Sequence, residues 1–334
     1  MKKNLFTILI LFIVLSCILL VGSAQDKVIE MKIGVNQPEG TAESLGIAKF
    51  IELAEEKSEG KLKILPYYSN MLGTPKTQLE NVMSGAQDMY VESYTYYQPY
   101  VEGMRIHSLP YVFRDNDHYK KFLKSDLEKE LEAELLEKTG IRVLNTERNW
   151  LSGPYRVLFA TRPIKSLEDI KGLRMRIPDS ITQVKVWSAL GASTTVIPWN
   201  DIYTSLKQGL ISAATCQLSQ LYANSFTEVA KHVTITHEYP QQLAISINNE
   251  VFENLPQDLQ AALTNAANEA GNYHTGLIIK AGEEVIQKCI SEYGAVFYEI
   301  DLQPWREKLL ALHEDLVAEG FIDGDLLSSA KSIE

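Results

Sequence analysis

DIKGLRMRIPDSITQVKVWSALG, residues 169–191, holds a complete structural unit. Leu173, Met175 and Ile177 alternate with Arg174 and Arg176, the period of two that marks a strand with opposite faces. Pro178 ends the strand reading, and Asp179–Leu190 reads as a helix closed by Gly191. A strand followed at once by a helix is the unit from which α/β sheets are built.

The same alternation continues in both directions. Upstream, Tyr155–Thr161 reads as a strand and Ser166–Lys171 as a single helical turn. Downstream, Asn200–Gln208 is a helix closed by Gly209, and Ala244–Ile247 returns to strand. Nearer the start, Val28–Val35 and Lys61–Leu65 are strands around a helix, Ala42–Ser58, with Leu45, Ala48, Ile51 and Leu53 expected inward. Thr74-Pro75 is a helix start, a cap followed by Pro at the first position, with Leu79, Val82, Met83 and Ala86 on one face. Ser125 and Glu128 have capping-box spacing. They open a charged helix with Leu127, Leu131 and Leu135 inward and Gly140 at its end, before a strand at Ile141–Leu144. Pro256 starts an Ala-rich helix predicted to reach Tyr293, with a weak point near Gly271 or Gly276. That is far above the usual helix length and long enough to cross two halves of a molecule. A strand at Ala295–Ile300 and a helix from Pro304 complete an α/β chain.

Lys2 and Lys3, an apolar run from Leu5 to Val21 and then Gly22-Ser23-Ala24 have the layout of a secretory signal, residues 1–24. A lipid anchor at Cys17 is the alternative: Val14-Leu15-Ser16-Cys17 loosely resembles a lipoprotein box, although the apolar run continues past the Cys. Either way the rest lies outside the cytoplasm, without membrane insertion after cleavage. ATP and NADH pools are absent there, and the expected jobs are binding, sensing, scaffolding or hydrolysis. The remaining length suits two lobes, and the absence of a Pro/Gly-rich linker predicts lobes joined by strands. The formal net charge of −11 repels nucleic acid and anionic lipid. An anionic ligand therefore needs a local positive cluster. Cys216 and Cys289 are too few for a disulfide framework and are either paired or free.

No nucleophile elbow, phosphate loop, dinucleotide fingerprint or zinc-protease helix occurs. The chain therefore reads as a binding protein rather than an enzyme, with no cofactor and no metal. His232 and His237 have poor metal spacing. The polar residues of interest are Arg156, Arg162, Arg174 and Arg176. Parity places Arg174 and Arg176 on one face of their strand, either the wet side of a sheet or a cleft wall. A guanidinium fork matches a carboxylate two-to-two, the natural way to catch a small organic acid. The dense tyrosines at 90, 94, 96, 97, 100 and 111 suit either core packing or a binding wall.

These residues fall within a longer series: FIELAEEKSEGKLK at Phe50–Lys63, Leu72-Gly73, SGAQDM at Ser84–Met89, LPYVF at Leu109–Phe113, DIKGLRMRIP at Asp169–Pro178, LGASTTVIPWNDIYTSLKQG at Leu190–Gly209, EVAKHVTITH at Glu228–His237 and LPQDLQAA at Leu255–Ala262. In that order they resemble the solute-binding proteins of TRAP transporters, the DctP family. The resemblance implies a two-lobed periplasmic-binding-protein fold that closes like a flytrap, with hinge strands and a long helix spanning both lobes. It implies lobe I at 25–152, lobe II at 153–240, a return through lobe I with the long helix at 241–280, and the remainder of lobe II with the C-terminal helix at 281–334. It also implies a periplasmic location, a small organic acid as ligand and a sodium-coupled TRAP membrane permease as partner. Input to a membrane sensor is the alternative. The family's arginine before hydrophobic-Pro falls at Arg176, and a second at Arg156; Gln37, Glu92 and Tyr94 are the implied first-lobe contacts. Relatives carry Asp-Gly-x-Glu-Asn-Pro where this chain has Ser212–Gln217, so the family's Asn position holds Cys216. That makes the wall less polar, with Trp199 beside it, and favours a compact or more apolar monocarboxylate over a dicarboxylate or sugar acid.

Overall fold

A computed structural model describes residues 28–334. The signal segment and Cys17 lie outside the described residues. Two sheets form. The first contains β1 (Ile29–Val35), β2 (Leu62–Tyr67), β3 (Met89–Ser93), β4 (Ile141–Val143) and β10 (Leu243–Asn248) in the order β2-β1-β3-β10-β4. The second contains β5 (Arg156–Ala160), β6 (Arg174–Ile177), β7 (Ser193–Val196), β8 (Ala213–Gln217), β9 (His232–Ile235) and β11 (Val296–Tyr298) in the order β11-β9-β5-β8-β6-β7. In each sheet, strands joined through helices pair in parallel, β1 with β2 and β3, and β6 with β7. The segments returning from the other sheet pair antiparallel, β10 with β3 and β5 with β8.

Each sheet carries one lobe, and the chain crosses between lobes four times, the last at the C-terminal helix. The links from β4 to β5 and from β9 to β10 meet in an antiparallel bridge between Leu151 and Gln242. The third crossing is the helix Gln257–Tyr293. Its first half packs Leu259, Leu263, Ala266 and Ala270 into the first lobe's core with Ile47 and Phe50. Its end packs Val285 and Cys289 into the second lobe's core with Phe159 and Phe226. The expected weak point is not a break. A Cβ on Gly271 would stand 2.1 Å from Asn149 Oδ1 and 2.6 Å from Trp150 Cδ1. Gly271 therefore lets the first inter-lobe link press against the helix, where Trp150 Nε1 donates to Ala267 O at 2.7 Å.

Several local expectations change. In Ala42–Lys57 the inward face is Ile47, Phe50, Leu53 and Ala54, while Leu45 and Ala48 face solvent. The helical phase that buries Phe50 turns Leu45 outward. Thr74 caps its helix as expected, accepting from Thr77 N. Ser125 does not form a capping box: its hydroxyl donates back to Phe122 O at 2.6 Å, and Glu128 is buried with an oxygen 3.0 Å from His107 Nε2. Residues 281–334, expected in the second lobe, divide. β11 completes the second sheet, and Trp305 of the helix Gln303–Ala318 packs edge-on to Trp187. The last helix, Gly324–Ser332, returns to the first lobe, where Ala330 O meets His118 Nε2 at 3.0 Å and Arg114 donates to Ile333 O. Cys216 and Cys289 are both buried and free.

The lobes meet face to face. Asn200 Nδ2 donates to Ser69 O at 3.0 Å, Asn224 Nδ2 to Gln37 Oε1 at 3.2 Å and Thr182 Oγ1 to Gln98 Oε1 at 2.8 Å.

Candidate ligand-binding site

The parity of β6 sets the site. Arg174 and Arg176 share a face, but Arg174 is exposed and Arg176 is only 4 % exposed. Arg176 Nε donates to Ile197 O at 2.8 Å, and its guanidinium carbon lies 5.7 Å from the Trp199 ring centre. Among the described residues it forms no ion pair; the Tyr96 hydroxyl is beside it. Burial, with Arg156 adding repulsion, holds its pKa below the ordinary arginine value. A buried guanidinium without a counter-ion is costly, so the site favours an anion.

Arg156, at the start of β5, is equally buried but differently employed. Its terminal nitrogens donate to Gln241 Oε1 and Thr215 Oγ1, both at 2.7 Å. Its Nε lies 3.5 Å from Glu238 Oε1, and its guanidinium stacks 4.4 Å from the Tyr239 ring centre. Burial opposes its charge, but Tyr239 and Glu238 outweigh that and raise its pKa.

The first lobe supplies the facing wall. β3 directs Glu92 into the gap, where Oε2 accepts from Asn36 Nδ2 at 2.8 Å and Tyr90 Oη at 3.1 Å, and Oε1 accepts from the Ser93 amide at 2.8 Å. Burial pushes the Glu92 carboxyl up to about 7, against the pull of those donors and of Arg176. Behind it, burial and then Glu92 itself hold the Glu43 carboxyl well above its usual range.

Between the walls is a partly open cavity of about 40 Å³ lined by Asn36, Glu92, Thr95, Tyr96, Arg156, Arg176, Pro178, Trp199, Thr215, Cys216, Gln220, Tyr239 and Gln241. Five residues singled out in the sequence converge here: Arg176, Arg156, Cys216, Trp199 and Glu92. Burial pushes the Cys216 thiol far up, so it is a neutral wall group. Gln37 lies just beyond, in a hollow of about 20 Å³ with Glu43, Ser152 and His274. Tyr94 does not line the cavity. It is buried in the first lobe, donating to Glu132 Oε1 at 2.8 Å and packing edge-on to Tyr97. β3 ends at Ser93, and the 3₁₀ turn Tyr94–Tyr97 swings Tyr96, not Tyr94, into the gap. Sequence reasoning also missed Asn36, Thr95, Thr215, Gln220, Tyr239 and Gln241. Asn36 had a signal, being next to Gln37 at the end of β1; the others come from turns or from a strand read only through its departure from the family pattern.

A larger groove, about 350 Å³, runs along Phe113–Asn116, Tyr155, His237 and Arg306. It shares only Tyr239 with the inter-lobe cavity and is open to solvent, with Arg114 at the surface. Converging buried charge, not size, marks the candidate ligand site. Among the described residues no cluster of His, Cys, Asp and Glu could hold a metal ion, and no helix is long and apolar enough to cross a membrane.

Known proteins share this fold. The family profile for bacterial extracellular solute-binding proteins, family 7 (DctP), matches residues 33–319. The chain belongs to that family, as its ordered motifs anticipated. The 2,3-diketo-L-gulonate-binding periplasmic protein YiaO of Escherichia coli K12 is 26% identical over 305 residues, spanning 91% of this chain and 92% of its own. The C4-dicarboxylate-binding periplasmic protein DctP of Rhodobacter capsulatus is 28% identical over 280 residues, 83% of each chain. In fold, the chain matches a TRAP periplasmic solute-binding protein from Roseobacter denitrificans with bound L-galactonate. The TM-score is 0.84 at 24% identity, over 92% of this chain and 99% of that one.

Proposed function

We propose that this protein captures a small organic acid outside the cytoplasmic membrane and delivers it to a sodium-coupled TRAP permease. The observation that carries the reading is Arg176, a buried guanidinium without an ion-pair partner, facing the gap between two lobes. With the lobes apart, Arg176 is solvated and accessible. A ligand carboxylate pairs with its terminal nitrogens, and closure then removes water and brings up Glu92, Asn36 and Tyr96. The ligand stabilises the closed form because it offsets a charge that closure would otherwise bury alone, and the closed form is what the permease receives. The work is binding, not catalysis. The relatives named for a sugar acid, a dicarboxylate and galactonate have in common a ligand carboxylate, the group Arg176 is placed to hold. No feature of the site favours the sensor reading.

Arg176→Ala is expected to weaken ligand binding by about 10²–10⁴-fold, the cost of removing one half of a buried ion pair. Arg176→Lys should also bind poorly, because an ammonium lacks the planar fork. Titration calorimetry checks both; an unchanged dissociation constant in Arg176→Ala removes the residue from the site.

A further inference from the structure

The charges and size of the cavity narrow the ligand class, and this step rests on the carboxylate reading above. Arg176 is a cation without an acid beside it. Arg156 is not a second one: its charge faces Glu238, with Nε 3.5 Å from the carboxylate, and its terminal nitrogens each already donate once, to Gln241 and Thr215. The opposite wall brings Glu92, whose two oxygens already accept three hydrogen bonds. The site therefore balances one negative charge. A second would lie near Glu92 with no free cation to meet it, an arrangement that disfavours both carboxylates.

Space and hydrogen bonding agree. The inter-lobe gap is narrow, with about 40 Å³ in which the centre of a water can sit. Both ends of Asn36 are engaged, with Glu92 and with Asn70. Pro178, Trp199 and the neutral Cys216 thiol, a weak hydrogen-bonding group, leave one side with few partners for hydroxyls.

We infer that the ligand is a compact acid with a single carboxylate, held by Arg176 with its tail against Trp199, Pro178 and Cys216, and that a second carboxylate is disfavoured.

Calorimetric titration of the purified protein with pyruvate, lactate, 2-oxobutanoate and 2-hydroxybutanoate, set against succinate and galactonate, tests this. At least one short monocarboxylate is expected to bind about 100-fold more tightly than either succinate or galactonate, or more. Tight binding of succinate or galactonate that Arg176→Ala abolishes overturns this inference and leaves the carboxylate reading standing. Tight binding of either that Arg176→Ala leaves intact overturns both. No binding by any of the four short acids also overturns the inference. Glu92→Gln removes the opposing charge and should narrow the preference for the short acid over succinate by about tenfold; an unchanged preference contradicts the charge argument.

Discussion

β5 and β6 each present one buried arginine to the same cavity, and the two behave differently. Arg156 on β5 has its partners within the protein: two neutral side chains, a carboxylate and an aromatic face surround it. Arg176 on β6 has one backbone carbonyl and a tyrosine hydroxyl. Equal burial therefore does not mean equal role. A charge whose partners fold with it contributes to stability, whereas a charge left unpaired contributes to affinity, because its partner arrives from outside.

The contrast can be broken by exchanging the expected phenotypes. Arg156→Ala leaves Glu238 buried without its cation and should cost about 3 kcal/mol of stability, whereas Arg176→Ala should leave the ligand-free melting temperature unchanged or higher. Thermal denaturation of both variants decides this, and equal losses would erase the distinction. A second effect, comparable or smaller, concerns pH. Burial raises Glu92 to about 7 from 4.5, so the folded state holds this proton more tightly than the unfolded chain. Its contribution to stability is full below about pH 4.5 and is lost as pH rises through 7. Glu92→Gln should therefore gain about 1–3 kcal/mol on wild type across that range, read from melts at a series of pH values. Ligand affinity should weaken over the same rise, because ionised Glu92 repels the incoming carboxylate.

The adjacent tyrosines sharpen the comparison on the first lobe. Tyr94→Phe loses a buried hydrogen bond to Glu132 and should cost about 1 kcal/mol of stability with affinity unchanged. Tyr96→Phe should do the reverse, weakening binding by about 3–10-fold with little change in melting. The smallest effect is expected for Asn200→Ala, which removes one contact between closed lobes. It should lower affinity only about 2–5-fold, mostly through faster ligand release in stopped-flow measurements.

The same pairs explain what the sequence disclosed. Arg176 was legible because strand parity is strict: once Leu173, Met175 and Ile177 are assigned to one face, Arg176 must lie on the other. Parity did not separate Arg176 from Arg174, since their different burial depends on the first lobe closing over one end of the strand. Tyr94 and Tyr96 lie beyond the end of β3, in a 3₁₀ turn with no two-residue alternation, so nothing local chose between them. The long helix was legible from its Pro start and Ala-rich run. Gly271, which looked like a weak point, was not interpretable without Asn149 and Trp150, which come from a distant segment. Ser125 and Glu128 had the spacing of a cap, but His107, far away in sequence, claims the glutamate.

The most direct test of the central claim is a crystal structure with the bound acid. The carboxylate oxygens should lie within about 3 Å of the terminal nitrogens of Arg176, between closed lobes. A ligand seated in the outer groove beside Arg306, or in the gap with its carboxylate turned away from Arg176, would contradict it.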